Sequence, residues 1–149
     1  MDRTANIHAT ALVLGDRGVL VTGPSGAGKT TLALALIARF SACGRLALLV
    51  GDDQIFVEKR GGRLLCRAPA VLAGLVEVPG IGPRPIQAEP APVADLVLRL
   101  VGEGEATRMQ APATETIAGC ALPRFDLPRR NVAAALPLAA ALLGRHPFA

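Results

Sequence analysis

The sequence of 149 residues predicts an α/β fold, a single domain over residues 1–149 with a mixed sheet and flanking helices. Three observations carry that prediction. Hydrophobic residues make up 51% of the chain but aromatics only 3%, with no Trp or Tyr, so the core is assembled from Leu, Val, Ile and Ala, as in α/β proteins with buried sheets. A short apolar strand, residues 19–22 (VLVT), runs straight into the glycine-rich segment Gly23-Pro24-Ser25-Gly26-Ala27-Gly28-Lys29-Thr30 and then into a run of helix formers. A continuous apolar run at residues 46–50 (LALLV) delivers Gly51-Asp52-Asp53 at its carboxyl end.

The elements follow in order. Residues 11–14 (ALVL) and 19–22 flank Asp16-Arg17-Gly18 and read as a hairpin. Residues 30–40 (TTLALALIARF) read as a helix that ends before Ser41-Ala42-Cys43-Gly44. The run 46–50 reads as a strand buried on both faces. Residues 55–58 and 63–66 suggest a second hairpin around Gly61-Gly62, and residues 69–76 (PAVLAGLV) a short helix opened by proline. The proline-dense stretch 79–92 reads as an irregular surface loop, residues 93–100 as a strand and residues 102–112 as a polar loop. Residues 116–128 read as short extended pieces, and residues 131–143 as an Ala/Leu-rich closing helix with Asn131 as its N-cap and a kink at Pro137.

Composition removes several function classes. The scarcity of aromatics leaves no stacking platform for single-stranded nucleic acid, and the net charge of +4 comes from scattered arginines, with no polyelectrolyte arm. The charge is read as affinity for anions, phosphates included, with no nucleic acid as partner. Cys43, Cys66 and Cys120 lie far apart and have only His8 and His146 as companions, so they are read as buried free thiols of a reducing compartment and not as a zinc site. The start MDRTANIHAT has no basic cluster followed by an apolar stretch, and no apolar run reaches ~20 residues, so the expected location is cytoplasmic, with no membrane partner.

The pattern G-x-x-x-x-G-K-[ST] is met by Gly23, Gly28, Lys29 and Thr30, between a strand and a helix as its chemistry requires. Glycines let successive main-chain N–H groups turn toward phosphate oxygens, and the helix amino terminus adds roughly half a positive charge. Lys29 can reach the β and γ phosphates and the Thr30 hydroxyl can ligate Mg²⁺, with residues 23–30 and Thr31 forming the nucleotide cradle. Asp52 and Asp53, at a neighbouring strand end, suit metal-assisted phosphoryl transfer, in which one carboxylate holds Mg²⁺ and another orients or deprotonates the acceptor hydroxyl.

The spacing from His8 through residues 18–23 and 25–30 to Gly51-Asp52-Asp53 resembles the catalytic domain of bacterial HPr kinase/phosphorylase. The likeness continues through Ala68-Pro69, Glu77 and Gly80-Ile81-Gly82, and through the segment from Pro123 to Leu136. The resemblance implies a glycine-loop fold like that of phosphoenolpyruvate carboxykinase, a hexamer, and an ATP-dependent serine kinase acting on the phosphocarrier HPr. By the same resemblance Asp52 is the general base, supported by His8, with Lys29 on the transferred phosphate and Thr30, Asp53 and Glu77 around Mg²⁺. Because the match starts within ten residues of Met1, the chain is expected to be the family's catalytic unit without the amino-terminal regulatory domain.

The chain departs from the family pattern at Pro79, where the signature has arginine, and in the following segment, Pro83-Arg84-Pro85-Ile86-Gln87-Ala88-Glu89-Pro90. Those departures weigh against the reverse, phosphorolytic activity. They also leave two alternatives open: an ATP-binding regulatory module without transfer, and a kinase with a different acceptor. Arg84 is a candidate substitute for the missing arginine. Arg124, Arg129 and Arg130 remain divided among gripping an acidic acceptor, contacting nucleotide across a subunit interface and lying in solvent.

Overall fold

The structure is a computed structural model that describes residues 4–78, 80–86, 92–102, 104, 105, 111 and 113–143. His146, Pro79 and residues 87–90 lie outside the described residues, as does most of the loop expected at 102–112.

Twelve strands and two α-helices make up the described chain. They are β1 (Thr4–Ile7), β2 (Ala9–Leu14), β3 (Arg17–Thr22), α1 (Lys29–Ala42), β4 (Ala47–Gly51), β5 (Ile55–Arg60), β6 (Arg63–Arg67), β7 (Leu75–Val78), β8 (Gly82–Pro85), β9 (Val93–Ala94), β10 (Leu96–Val101), β11 (Ala113–Ile117), β12 (Cys120–Pro128) and α2 (Val132–Leu143). The main sheet has the order β11-β12-β10-β3-β2-β4. Its pairings β12–β10 and β10–β3 are parallel, whereas β2 runs antiparallel to both β3 and β4. Consequently β3, β4, β10 and β12 all point one way, and β2 alone among the central strands brings its amino end to the edge where the others finish.

Alternation along the strands builds three layers. From β3, Val19 and Val21 face one side with Leu96, Leu98 and Leu100 of β10, and pack against Leu32, Leu36 and Phe40 of α1 and Ala135 and Ala139 of α2. Leu20 and Val97 face the other side, where they meet Ile55, Val57, Leu64 and Cys66 of a second sheet ordered β1-β5-β6-β9. Chain continuity joins the sheets: β1 passes into β2 at His8, and β9 into β10 at Asp95. At that second junction Gly18 N donates to Asp95 Oδ2 at 2.8 Å and Asp95 N donates to Gly18 O at 2.8 Å.

Both expected hairpins, the first helix and the closing helix form. Asn131 caps α2, with Ala134 N donating to its Oδ1 at 3.1 Å, and α2 continues through Pro137, which lies on its exposed face. Other expectations are corrected. Residues 69–76 do not make a helix: a single 3-10 turn, Ala70–Leu72, is followed by β7. The stretch after it is not wholly irregular, since β8 pairs antiparallel with β7 through Leu75↔Pro85 and Val78↔Gly82. This ladder tolerates proline because a two-stranded ribbon leaves one side of each strand unpaired.

Residues 116–128 are not short pieces but the arms of a hairpin, with β12 extending over nine residues. The run 46–50 is not covered on both faces along its length: β4 is the edge of its sheet, and Leu46, just before it, is 54% exposed. Cys66 and Cys120 are buried as expected, but Cys43 at the end of α1 is exposed. Among the described residues no helix is long and apolar enough to cross a membrane.

Candidate active site

Strands β3 and β4 finish at the same edge of the main sheet, so the loop after β3 and the acids after β4 are set side by side. The loop works through its backbone. Gly28 takes φ 94° at the N-cap of α1, a left-handed conformation that glycine adopts without steric cost, and no side chain caps the helix. The first intrahelical bond runs from Leu32 N to Gly28 O at 3.0 Å, so the amides of residues 29–31 have no partner within the helix. The first turn carries no acidic residue to compete for those amides. Free amides at a helix amino terminus are the kind of group that receives anions.

Lys29 is 6% exposed and folds back over the loop, where its Nζ donates to Gly23 O at 3.0 Å and Pro24 O at 3.1 Å. Pro24, Ser25, Gly26 and Thr31 are exposed, whereas Ala27 is fully buried and pins the loop to the core. Lys29 thus places its charge at the loop itself.

The two adjacent acids have different surroundings. Asp52 is 6% exposed and accepts three hydrogen bonds: its Oδ1 from Thr10 Oγ1 at 2.9 Å and Thr30 Oγ1 at 2.8 Å, its Oδ2 from Glu77 N at 3.0 Å. Asp53, with its side chain 66% exposed, takes φ 72° and is bonded to His8, whose Nε2 donates to Asp53 Oδ1. The family resemblance pairs His8 with Asp52; the structure pairs it with Asp53. The reason lies in the placement of the two acids, because His8 is exposed at the junction of β1 and β2 and Asp53 is exposed too, while Asp52 turns inward to Thr10.

Glu77 is exposed and lines, with Thr30, Asp52, Asp53, Leu72, Leu75, Val76 and Pro83, a cleft of about 350 Å³. Hence Thr30, Asp53 and Glu77, the residues expected around magnesium, share one cleft with Asp52. Among the described residues no three His, Cys, Asp or Glu side chains stand together as a group that could hold a metal ion by themselves. That donor set suits Mg²⁺, which keeps several waters and shares its shell with substrate phosphates, better than it suits an all-protein site.

Two contributors were not legible as site residues. Thr10 sits in an apolar strand, and its only sequence signal is a hydroxyl where the alternation calls for an aliphatic. The Glu77 amide acts through the main chain, which no residue type reveals. Of the open arginines, Arg84 donates to the neighbouring Pro83 O at 2.8 Å and is exposed, and Arg124 lies by Asp126 at 3.3 Å and Glu115 at 3.9 Å. Arg130 reaches the glycine loop, with its Nε donating to Gly26 O at 2.8 Å.

The family model described as the HPr Serine kinase C-terminal domain matches residues 1–88, more than half of the chain. The chain belongs to that family. It is 35% identical over 79 residues to the HPr kinase/phosphorylase of Mycoplasma mycoides and 41% identical over 78 residues to that of Mycoplasma pneumoniae. Those alignments cover 53% and 52% of this chain, and the chain spans 23% of each relative's length. The structure of the Hpr(Ser) kinase/phosphatase from Coxiella burnetii superposes with a TM-score of 0.77 at 30% identity, covering 95% of this chain and 94% of that one. The mixed α/β architecture is therefore that of an HPr kinase/phosphatase, and the structural likeness extends well past residue 88 into the β10–α2 half.

Proposed function

We propose that the chain is an ATP-dependent kinase that transfers the γ-phosphoryl group to a serine hydroxyl of HPr or an HPr-like carrier protein. The observation that carries this reading is the meeting of loop and acids: Thr30, the residue after Lys29, bonds directly to Asp52, and both open on the same cleft as Asp53 and Glu77. Family membership supplies the acceptor, and a homo-oligomer, a hexamer by resemblance, belongs to the same proposal.

The residues divide the work as follows. Amides of the loop and of the first turn of α1 receive the phosphates, and Lys29 balances charge on the β and γ groups. Of the residues expected around Mg²⁺, Thr30 and Glu77 would hold the ion, with Asp52 fixing the Thr30 hydroxyl from behind and Asp53 taking the separate role below; a bound ion would supply charge neutralisation at the transferring phosphoryl group. The acceptor hydroxyl gives up its proton to a carboxylate. The resemblance assigns that step to Asp52, but Asp52 is buried with three donors on it, whereas Asp53 is exposed in the cleft and oriented by His8. We therefore assign proton acceptance to the Asp53–His8 pair and an anchoring role to Asp52.

Labelled ATP, Mg²⁺ and folded HPr from the same organism test the reading, with phosphoserine formation on HPr the expected result. Mg-ATP binding without transfer to any carrier would favour a regulatory nucleotide-binding module. Transfer to another hydroxyl acceptor but not to HPr would favour a kinase of changed acceptor, a reading the wall formed by Leu75, Val76 and Pro83 supports, because it adjoins the segment where the chain departs from the family pattern.

A further inference from the structure

Most carbonyls of the glycine loop already have a donor. Gly23 O and Pro24 O accept from Lys29 Nζ, Pro24 O also accepts from Ala27 N at 3.1 Å, and Gly28 O accepts from Leu32 N. The two between them, Gly26 O and Ala27 O, are both held by one residue 104 positions along the chain from Gly26. Arg130 Nε donates to Gly26 O at 2.8 Å, and Arg130 N donates to Ala27 O at 2.9 Å. A peptide plane is rigid, so a carbonyl fixed on one side fixes the next residue's N–H on the other. Holding Ala27 O outward directs the Gly28 amide toward the cradle.

Arg130 reaches both carbonyls only because of where it stands. It follows β12, precedes the N-cap Asn131 and has φ 54°, a left-handed conformation uncommon for a long side chain that costs about 1–2 kcal/mol. Its main chain also closes on the loop: a Cβ added at Gly28 would lie 3.7 Å from Arg130 N and 3.8 Å from Arg130 Cα. Strain at a corner and a double clasp on a loop 104 residues away form one device.

We propose that Arg130 is a positioning residue that holds the glycine loop in its phosphate-receiving shape, so that nucleotide affinity depends on the β12–α2 corner. The inference rests on the proposed phosphate-binding reading of the loop. It does not need the guanidinium to touch the nucleotide.

The test compares wild type with Arg130→Ala, Arg130→Gly and Arg130→Lys. Arg130→Gly removes the side-chain bond but keeps the main-chain donor and relaxes the left-handed backbone, so its thermal stability should equal or exceed that of Arg130→Ala. Titration calorimetry with Mg-ATP should show both variants weakened about tenfold or more, as expected when a charged hydrogen bond is lost, with partial recovery in Arg130→Lys. Hydrogen exchange at the Ala27 amide, which shares its peptide plane with Gly26 O and donates to Pro24 O, should quicken without nucleotide in Arg130→Ala and Arg130→Gly. Wild-type-like affinity and exchange in Arg130→Gly would overturn the inference. Absence of Mg-ATP binding by wild type would instead overturn the phosphate-binding reading, and the exchange measurement would still decide whether Arg130 orders the loop.

Discussion

Thr30 Oγ1 donates to Asp52 Oδ1 at 2.8 Å, so the start of α1 and the end of β4 are tied across the sheet edge by a single bond. Asp52 also receives Thr10 Oγ1 from β2 and Glu77 N from β7. Four elements therefore converge on one buried carboxylate, and the shape of the cleft depends on it.

Replacing that carboxylate is expected to cost stability first. Asp52→Asn keeps the volume but turns an amide NH2 toward groups that themselves donate, and Asp52→Ala leaves three donors without an acceptor at a position 6% exposed. Each buried donor left unsatisfied costs about 1–3 kcal/mol. Urea unfolding should show both variants destabilised by at least ~2 kcal/mol, Asp52→Ala more than Asp52→Asn. A midpoint unchanged in both would show that water replaces the carboxylate without loss.

Asp53 predicts the opposite pattern. Its side chain is 66% exposed, and asparagine tolerates the left-handed backbone that Asp53 adopts at φ 72°. Asp53→Asn should leave the unfolding midpoint within ~0.5 kcal/mol of wild type and lower the transfer rate by about a hundredfold or more, the usual contribution of a positioned proton acceptor. His8→Ala should lower the same rate by less, and the double variant should fall no further than Asp53→Asn alone, because the two act as one unit. Additive losses in single-turnover assays would separate His8 from Asp53.

The sequence made the glycine loop legible because its pattern fixes chemistry, spacing and the strand and helix on either side at once. The acids were legible as a pair but not individually. Whether Asp52 or Asp53 turns inward depends on the residue taking φ 72° and on the antiparallel insertion of β2, and neither leaves a local signature. The hairpin of β7 and β8 was hidden for a related reason, since Pro83 and Pro85 read as loop formers until a two-stranded ribbon is known to leave them an unpaired side. The main-chain partners, Glu77 N on Asp52 and Arg130 N on Ala27, carry no residue code.

Burial at Cys66 gives a pH prediction. Its thiol is 2% exposed, and desolvation pushes its pKa from the ordinary 9.0 up to about 12 in the folded chain. The unfolded chain loses this proton above pH ~9 while the folded chain keeps it, so stability from this group is complete below pH ~9 and declines between there and pH ~12. The slope is about 1.4 kcal/mol per pH unit. Cys66→Ala should start less stable at pH 8 because of its cavity but lose less between pH 8 and pH 10.5 than wild type in urea titrations. In the folded protein a thiol reagent should modify the exposed Cys43 and spare Cys66. Equal alkaline slopes in the two proteins would remove Cys66 as the cause.

The junction between the two sheets predicts the most severe substitution away from the site. Gly18 and Asp95 exchange two hydrogen bonds, Gly18 N to Asp95 Oδ2 and Asp95 N to Gly18 O, both at 2.8 Å. This contact sits where β9 of the second sheet passes into β10 of the first. A Cβ on residue 18 would lie 1.9 Å from Val93 O and 2.8 Å from Val93 C, both backbone atoms that no side-chain rotation can move aside. Relief requires β3 and β9 to separate, which breaks the pair of hydrogen bonds and loosens the packing of Leu20 and Ala94 between the sheets. Gly18→Ala is therefore expected to destabilise the fold by about 3 kcal/mol or more, at the upper end of overpacking costs. Thermal unfolding decides it, with Gly62→Ala as a control for left-handed backbone strain without crowding: Gly62 lies in a turn at φ 77°, whereas Gly18 lies within β3, and no atom stands within 4 Å of a Cβ added at Gly62. If Gly18→Ala loses no more than the control, the close approach of the two sheets is not what fixes their junction.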